Sequence, residues 1–154
     1  MKKNINPIKF SEQETEYTCG PACMRMILSS LNLNKSEKQL VKELRTNKVS
    51  GTKHKNLFRF AKKKKWSYVI GNNAYLDELK NLMKKDYFII VDYYIPSQKT
   101  NHYSIIKKIT KERIYLIDPY FGVGTSYSLS YFDKIWNHIS KYEKERSWFI
   151  AIKK

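Results

Sequence analysis

The sequence lacks the features that mark membrane and secreted proteins. No apolar run approaches the roughly 18 residues of a membrane-spanning helix, and the N-terminal residues 1–7 lack the apolar region of a secretory signal. The two cysteines, Cys19 and Cys23, lie four positions apart on one predicted helix, where a disulfide would strain the backbone. We therefore expect no transmembrane segment, reduced thiols and a cytoplasmic location.

Glycine and proline are also scarce, with five and four residues, and no stretch has the composition of a linker or a repeat. The 154 residues are 42% hydrophobic and 14% aromatic, which is enough for one hydrophobic core. The sequence therefore predicts a single domain covering residues 1–154.

Acidic residues are few: 14 stand against 30 basic residues, and the net charge is +16. Lys62–Lys65, followed by Trp66 and Tyr68, has the composition of a nucleic-acid patch, and the same charge would attract an anionic membrane or an acidic peptide. Because the basic residues are spread along the chain without a nucleic-acid motif, we favour a solvated, lysine-rich face that makes transient anionic contacts.

What the chain does contain is a cysteine at the point where a turn gives way to a helix. Proline is well accommodated in the first helical turn, and Gly20 and Pro21 directly follow Cys19. Apolar residues then recur at helical spacing, at Met24, Ile27, Leu28 and Leu31. The unpaired N–H groups at a helix start would stabilise a thiolate. Cys19 is therefore a candidate nucleophile, the alternative being an inert buried cysteine.

A thiolate nucleophile needs a base, and the base needs an orienting partner. His102 opens one predicted strand, His102–Ile109, and Asp118 closes the next, Arg113–Asp118. If these strands form an antiparallel hairpin, His102 and Asp118 meet at one end of the sheet. The acid would then fix the tautomer of the imidazole and stabilise its charged form.

The other candidate for chemistry is a zinc site, drawn from Cys19, Cys23, His54, His102 and His138. None of these residues shows the paired Cys-x-x-Cys or His-x-x-x-His spacing of such sites. We expect no metal and no cofactor.

Helical patterns occupy most of the first half of the chain, and strand patterns most of the second. Ser36–Gln39 resembles a capping box for a short second helix, and Ser130 with Asp133 resembles another for a late helix. Ser147–Ile152 is the last predicted strand. We expect an α+β fold in which N-terminal helices pack on a C-terminal antiparallel sheet, as in papain-like proteins.

The chain resembles the peptidase C39 family, papain-like cysteine peptidases best known as leader-cutting domains of bacteriocin exporters. The first family motif is Gln, four variable residues, usually an acid, then Cys-Gly-x-x-Cys; here Gln13 and Cys19–Cys23 fit, and Thr18 replaces the acid. The second motif, His-Tyr before an apolar strand, is matched by His102-Tyr103. The third, Asp-Pro followed by a glycine, is matched by Asp118-Pro119 and Gly122.

The resemblance implies Cys19 as nucleophile, His102 as general base, Asp118 as orienting residue and Gln13 as oxyanion-hole donor. A side-chain amide and the backbone N–H of the nucleophile can together hold an oxyanion, although Gln13 taken alone would be interpreted as a surface glutamine. The implied activity is hydrolysis of a peptide or protein substrate, a precursor or leader peptide cut after small residues such as Gly-Gly.

Two alternatives remain open. The same thioester chemistry with an amine or thiol in place of water would make the protein an acyltransferase or cyclase. In the second alternative Cys19 is structural and the chain is a non-enzymatic basic module that binds nucleic acid or a membrane surface.

Overall fold

Five helices and six strands follow one another along residues 7–154, the part of the chain that this computed structural model describes. The expectation of no secretory signal concerns residues that lie mostly outside this part. The helices are α1 (Cys19–Ser30), α2 (Glu37–Glu43), α3 (His54–Lys63), α4 (Leu76–Lys84) and α5 (Leu129–Trp136). The strands are β1 (Ser67–Gly71), β2 (Phe88–Ile95), β3 (Thr100–Ile109), β4 (Arg113–Asp118), β5 (Gly122–Ser128) and β6 (Trp148–Lys153).

The strands form one sheet in the order β1-β6-β2-β3-β4-β5, and all of its neighbouring strands are antiparallel. The predicted hairpin of β3 and β4 is confirmed, with Ile105 opposite Ile117. The last strand, β6, is inserted between β1 and β2. The α+β class and the antiparallel sheet predicted from the sequence are therefore confirmed.

Helices cover both faces of this sheet. Because successive side chains on a strand point to opposite faces, Trp148, Ile150 and Ile152 of β6 join the core beneath α1, α2 and α3. The intervening Phe149 and Ala151 join a second core, which contains Leu79 of α4 and three α5 residues, Phe132, Ile135 and Trp136. The N-terminal helices pack on the sheet as predicted. The second helical layer was not predicted.

Local signals set some boundaries well and others poorly. The Ser36 side chain accepts from the backbone N–H of Gln39, and the Gln39 side chain bonds back to Ser36, so the predicted capping box is confirmed. The late helix starts earlier than predicted, at Leu129, because the Ser128 hydroxyl caps it by accepting from the backbone N–H of Tyr131.

Strand β5 was not predicted, because its glycine-containing, half-exposed sequence has little apolar alternation. It forms by pairing with β4. No helix within residues 7–154 has the length and apolarity needed to cross a membrane.

Candidate active site

Cys19 is the first residue of α1 and is partly exposed, whereas Cys23, one turn later, is buried in the core. Thr18 precedes the helix, and its carbonyl accepts from the backbone N–H of Ala22 at 3.0 Å. The sulfur of Cys19 therefore lies at the positive end of the helix dipole, where a negative charge is stabilised. Burial raises the pKa of Cys23 well above its ordinary value, and the neighbouring charge of Cys19 raises it further. Of the two thiols, Cys19 is the one placed for chemistry.

His102 on β3 and Asp118 at the end of β4 are brought together by the hairpin. The Nε2 of His102 lies 2.8 Å from the Oδ1 of Asp118, and both side chains are buried. The same Oδ1 accepts from the backbone N–H groups of Tyr120 (2.8 Å) and Phe121 (2.9 Å), and Oδ2 accepts from the Tyr93 hydroxyl at 2.6 Å. Burial alone would raise the pKa of Asp118, but the hydrogen bond and charge of His102 lower it below the ordinary value.

The imidazole of His102 lies between this carboxylate and Cys19. Burial acts to lower the pKa of His102, but the charge of Cys19 and the hydrogen bonds with Asp118 and Cys19 outweigh it and raise the pKa to about 10. Because Nε2 is bonded to Asp118, Nδ1 is the nitrogen left for Cys19. The arrangement favours the protonated form of His102 beside the Cys19 sulfur, and cysteine nucleophiles in general act from such a pair.

Gln13 is held next to these residues by its backbone. Its N–H donates to the carbonyl of Pro119 at 2.9 Å, in the turn that follows Asp118. Its side chain is largely buried, and Nε2 donates to the carbonyl of Thr15 at 2.6 Å. The segment before α1 is thus attached to the turn after β4, so the four residues predicted as site residues are grouped in one region.

A cleft of about 840 Å³ opens over this group. Gln13, Cys19 and His102 line its base. Its walls come from the turn at residues 48–52, the residues around Asn101, Tyr120, and the segment 138–143 between α5 and β6. A peptide lying in the cleft would pass directly over Cys19.

Asp92, on β2 next to β3, does not point at His102. Its Oδ2 lies 2.6 Å from the Nε2 of His54, and its Oδ1 accepts from the Asn101 side chain at 3.0 Å. The Nδ1 of His54 faces two more carboxylates, of Glu145 at 2.9 Å and Glu143 at 3.3 Å. Asp118 is therefore the acid paired with His102, and Asp92 belongs to a different cluster.

This second cluster is the one place in the described chain with a metal-like set of donors, since ligand atoms of His54, Glu143 and Glu145 lie within 4.8 Å of one another. Burial acts to lower the pKa of His54, but Asp92 and the two glutamates raise it above its ordinary value. The ring also stacks on Trp148, with centroids 3.7 Å apart. The three carboxylates thus favour the protonated form of His54. No sequence pattern predicts this cluster, because its members are up to 91 positions apart.

The sequence profile of the peptidase C39 family matches residues 7–146 of this chain. The chain belongs to the peptidase C39 family. Its membership, expected from the three motifs, is thereby confirmed, and membership supports a peptidase role. Among curated proteins, none matches the chain at a significant level.

Solved structures of other C39 peptidases share the fold. A C39-like peptidase of Bacillus anthracis superposes with a TM-score of 0.75 at 15% identity, covering 96% of this chain and 94% of its own. The peptidase domain of Streptococcus ComA, a bifunctional ABC transporter, gives a TM-score of 0.70 at 20% identity, covering 95% of this chain and 98% of its own. A double-glycine protease from an AMS/PCAT transporter, solved with its leader peptide, superposes with a TM-score of 0.65 at 12% identity, covering 99% of this chain and 96% of its own.

Proposed function

We propose that this protein is a cysteine peptidase that uses Cys19 as nucleophile, His102 as general base and acid, and Asp118 as the residue that orients His102. The observation that carries the proposal is the position of His102, which interacts with Cys19 on one side and bonds to Asp118 on the other at 2.8 Å. Membership of the C39 family adds support from an independent comparison.

The steps follow from this geometry. The Cys19 thiolate attacks the substrate carbonyl carbon, an S–C bond forms, and the carbonyl electron pair moves to oxygen. That oxyanion would be held by an N–H of Gln13 and by the backbone N–H of Cys19. As the C–N bond breaks, the His102 imidazolium gives its proton to the departing amine, leaving an acyl-enzyme.

Hydrolysis of the acyl-enzyme returns the enzyme to its starting state. Neutral His102 takes a proton from a water molecule, whose oxygen attacks the thioester carbon. The C–S bond then breaks, and the thiolate and the imidazolium are restored together. Asp118 keeps Nε2–H of His102 in place throughout, so that Nδ1 always faces the reacting atoms.

The proposed substrate is a precursor or leader peptide cut after small residues such as Gly-Gly. Two observations support this class: the family of the chain, and the similarity of its fold to a double-glycine protease solved with its leader peptide. The cleft of about 840 Å³ that Cys19 lines gives a volume in which a peptide segment can bind.

The test is to incubate a peptide library that includes Gly-Gly sequences with the wild type and with Cys19→Ala under reducing conditions, and to identify products by mass spectrometry. Cys23→Ala is the matched control, since it removes the other thiol, which is buried in the core. We expect cleavage after Gly-Gly by the wild type and the Cys23→Ala protein only. Cleavage by Cys19→Ala would refute the assignment of the nucleophile. Products joined to an added amine or thiol, without hydrolysis, would indicate a transferase instead.

A further inference from the structure

The hydroxyl of Thr18 uses all of its hydrogen-bonding capacity on a single residue. A threonine hydroxyl has one donor and two acceptor positions. Thr18 Oγ1 accepts from the backbone N–H of Thr15 at 3.1 Å and lies 2.9 Å from the Thr15 hydroxyl, from which it also accepts. It donates to the carbonyl of Thr15 at 3.2 Å. Thr18 is only 2% exposed, and its bonds to Thr15 are partly buried.

The carbonyl of Thr15 has a second donor, the side chain of Gln13. The Nε2 of Gln13 lies 2.6 Å from this oxygen. The reverse orientation of the amide would put Oε1 against the carbonyl, two acceptors in contact, which is repulsive. Among the described residues Oε1 has no hydrogen-bond partner, although it is buried. The bond to Thr15 therefore decides which way the Gln13 amide faces.

One consequence concerns the proposed oxyanion. Nε2 carries two N–H groups, and the bond to Thr15 occupies one of them. The other is left for a further acceptor, and Gln13 lines the cleft together with Cys19. A carboxylate at position 18 would accept from the backbone N–H and the hydroxyl of Thr15 but would have no proton to donate to the Thr15 carbonyl. The hydroxyl does both, which suits this loop to a threonine.

We propose that Thr18 is a positioning residue for the oxyanion donor: its hydroxyl fixes the Thr15 carbonyl, and that carbonyl holds the Gln13 amide with one N–H directed to the reacting carbonyl. The inference rests on the proposed function, because it assigns Gln13 to an oxyanion formed at Cys19. It adds a residue whose hydroxyl bonds to Thr15 and which acts on the oxyanion through Thr15 and Gln13.

The test compares Thr18→Val, which keeps the shape and removes the hydroxyl, with Thr18→Ser, which keeps the hydroxyl. Gln13→Ala removes the proposed oxyanion donor completely and sets the largest loss expected. Thr46→Val is the matched control, since it removes another buried threonine hydroxyl, bonded to Thr52 at 2.6 Å. Three quantities are measured: kcat and KM on a fluorogenic peptide amide ending in Gly-Gly, the affinity for a Gly-Gly aldehyde, and the alkylation rate of Cys19 with iodoacetamide.

These probes separate positioning from general damage. The aldehyde adds the Cys19 sulfur to its carbonyl carbon, and its oxygen takes the proton, so the adduct places an oxygen at the oxyanion position. Alkylation displaces iodide from carbon and forms no such oxygen. Loss of an oxyanion donor costs about 10²–10³ in kcat. We expect Gln13→Ala to show this loss and Thr18→Val to lose about 10- to 100-fold in kcat and in aldehyde affinity, with KM and alkylation rate close to wild type.

Thr18→Ser should retain activity within about threefold of wild type. The double variant Thr18→Val/Gln13→Ala should be no slower than Gln13→Ala alone, because the effects of two substitutions are not additive when the residues act as one unit. Full kcat in Thr18→Val beside an impaired Gln13→Ala would overturn the inference and leave the proposed function standing. Equal losses in kcat and alkylation rate would also overturn it, by showing a structural role. If the wild type neither cleaves the amide nor binds the aldehyde through Cys19, it is the proposed function that has failed.

Discussion

Replacing Asp118 by asparagine would remove a negative charge from beside His102 while leaving the hydrogen bonds that orient it. The Oδ1 of an asparagine can still accept from His102, Tyr120 and Phe121, as Asp118 Oδ1 does. Its Nδ2 would then face the Tyr93 hydroxyl, which can turn its proton to Ser104 Oγ, 2.9 Å away. The opposite amide orientation would point an NH₂ group at three donors. Asp118→Asn is therefore a test of charge rather than of geometry.

The size of the effect follows from the separation of the two charges. The charge centres of an imidazolium and a carboxylate bonded at 2.8 Å lie about 4 Å apart, which at an effective dielectric constant of about 20 corresponds to about 4 kcal/mol. At 1.36 kcal/mol per pKa unit, this is about three units. Loss of an anion destabilises the protonated ring, so the pKa of His102 should fall from about 10 to about 7.

The measurement is the pH dependence of kcat/KM between about pH 5 and pH 11, where the alkaline limb reports loss of the His102 proton. In Asp118→Asn the alkaline limb of the kcat/KM profile should move to lower pH by about three pH units. Asp92→Asn is the matched control, because Asp92 bonds to His54 and Asn101 instead of His102. The alkaline limb of its kcat/KM profile should stay within about half a pH unit of wild type. An unmoved limb in Asp118→Asn, or an equal movement in both variants, would refute the assignment of Asp118.

Three further predictions concern stability. Cys23→Ser places a hydroxyl in an apolar core and should lower the free energy of unfolding by about 1–3 kcal/mol in urea, with unchanged alkylation of Cys19. Gly20→Ala should lower that free energy by about 1–3 kcal/mol and also slow turnover, because its Cβ would lie 2.6 Å from Thr52 Oγ1; an unchanged unfolding midpoint would contradict the close contact. Because the pKa of His54 is raised in the folded protein, the contribution of its proton to stability is complete below the ordinary pKa of about 6.5 and is lost as pH rises through the folded-state pKa. The difference in unfolding free energy between wild type and His54→Gln should therefore shrink as pH rises above about 6.5.

The residues proposed as catalytic could be located from the sequence because each carries a local signal. Cys19 stands at a helix start followed by Gly-Pro, and His102 and Asp118 lie at the ends of two strands joined by a short turn. A hairpin is a local structure, so its geometry follows from the sequence of one segment. The bond at 2.8 Å between His102 and Asp118 is the result.

The rest depended on contacts between distant segments. Nothing near His54 indicates that Asp92 and Glu145 will surround it, since these residues come together only when β6 enters the sheet. The position of the Gln13 amide likewise depends on bonds made by Thr15 and Thr18. These bonds require a particular backbone conformation of the segment 13–18, which the spacing of the residues in the sequence does not specify. Charge and hydrogen bonding at such places are set by tertiary structure, and local sequence patterns do not encode them.

The position of β6 between β1 and β2 affects how the sheet forms during translation. Strand β1 pairs only with β6 among the described strands, and one edge of β2 stays unpaired until β6 arrives. During translation, residues up to about 147 therefore leave the exit tunnel without a complete sheet, and the nascent chain exposes open strand edges. Closing the sheet is a late, long-range step, which slows folding. Since the insertion also brings Trp148 against His54, the described residues complete their sheet and the packing around His54 only when β6 has joined β1 and β2.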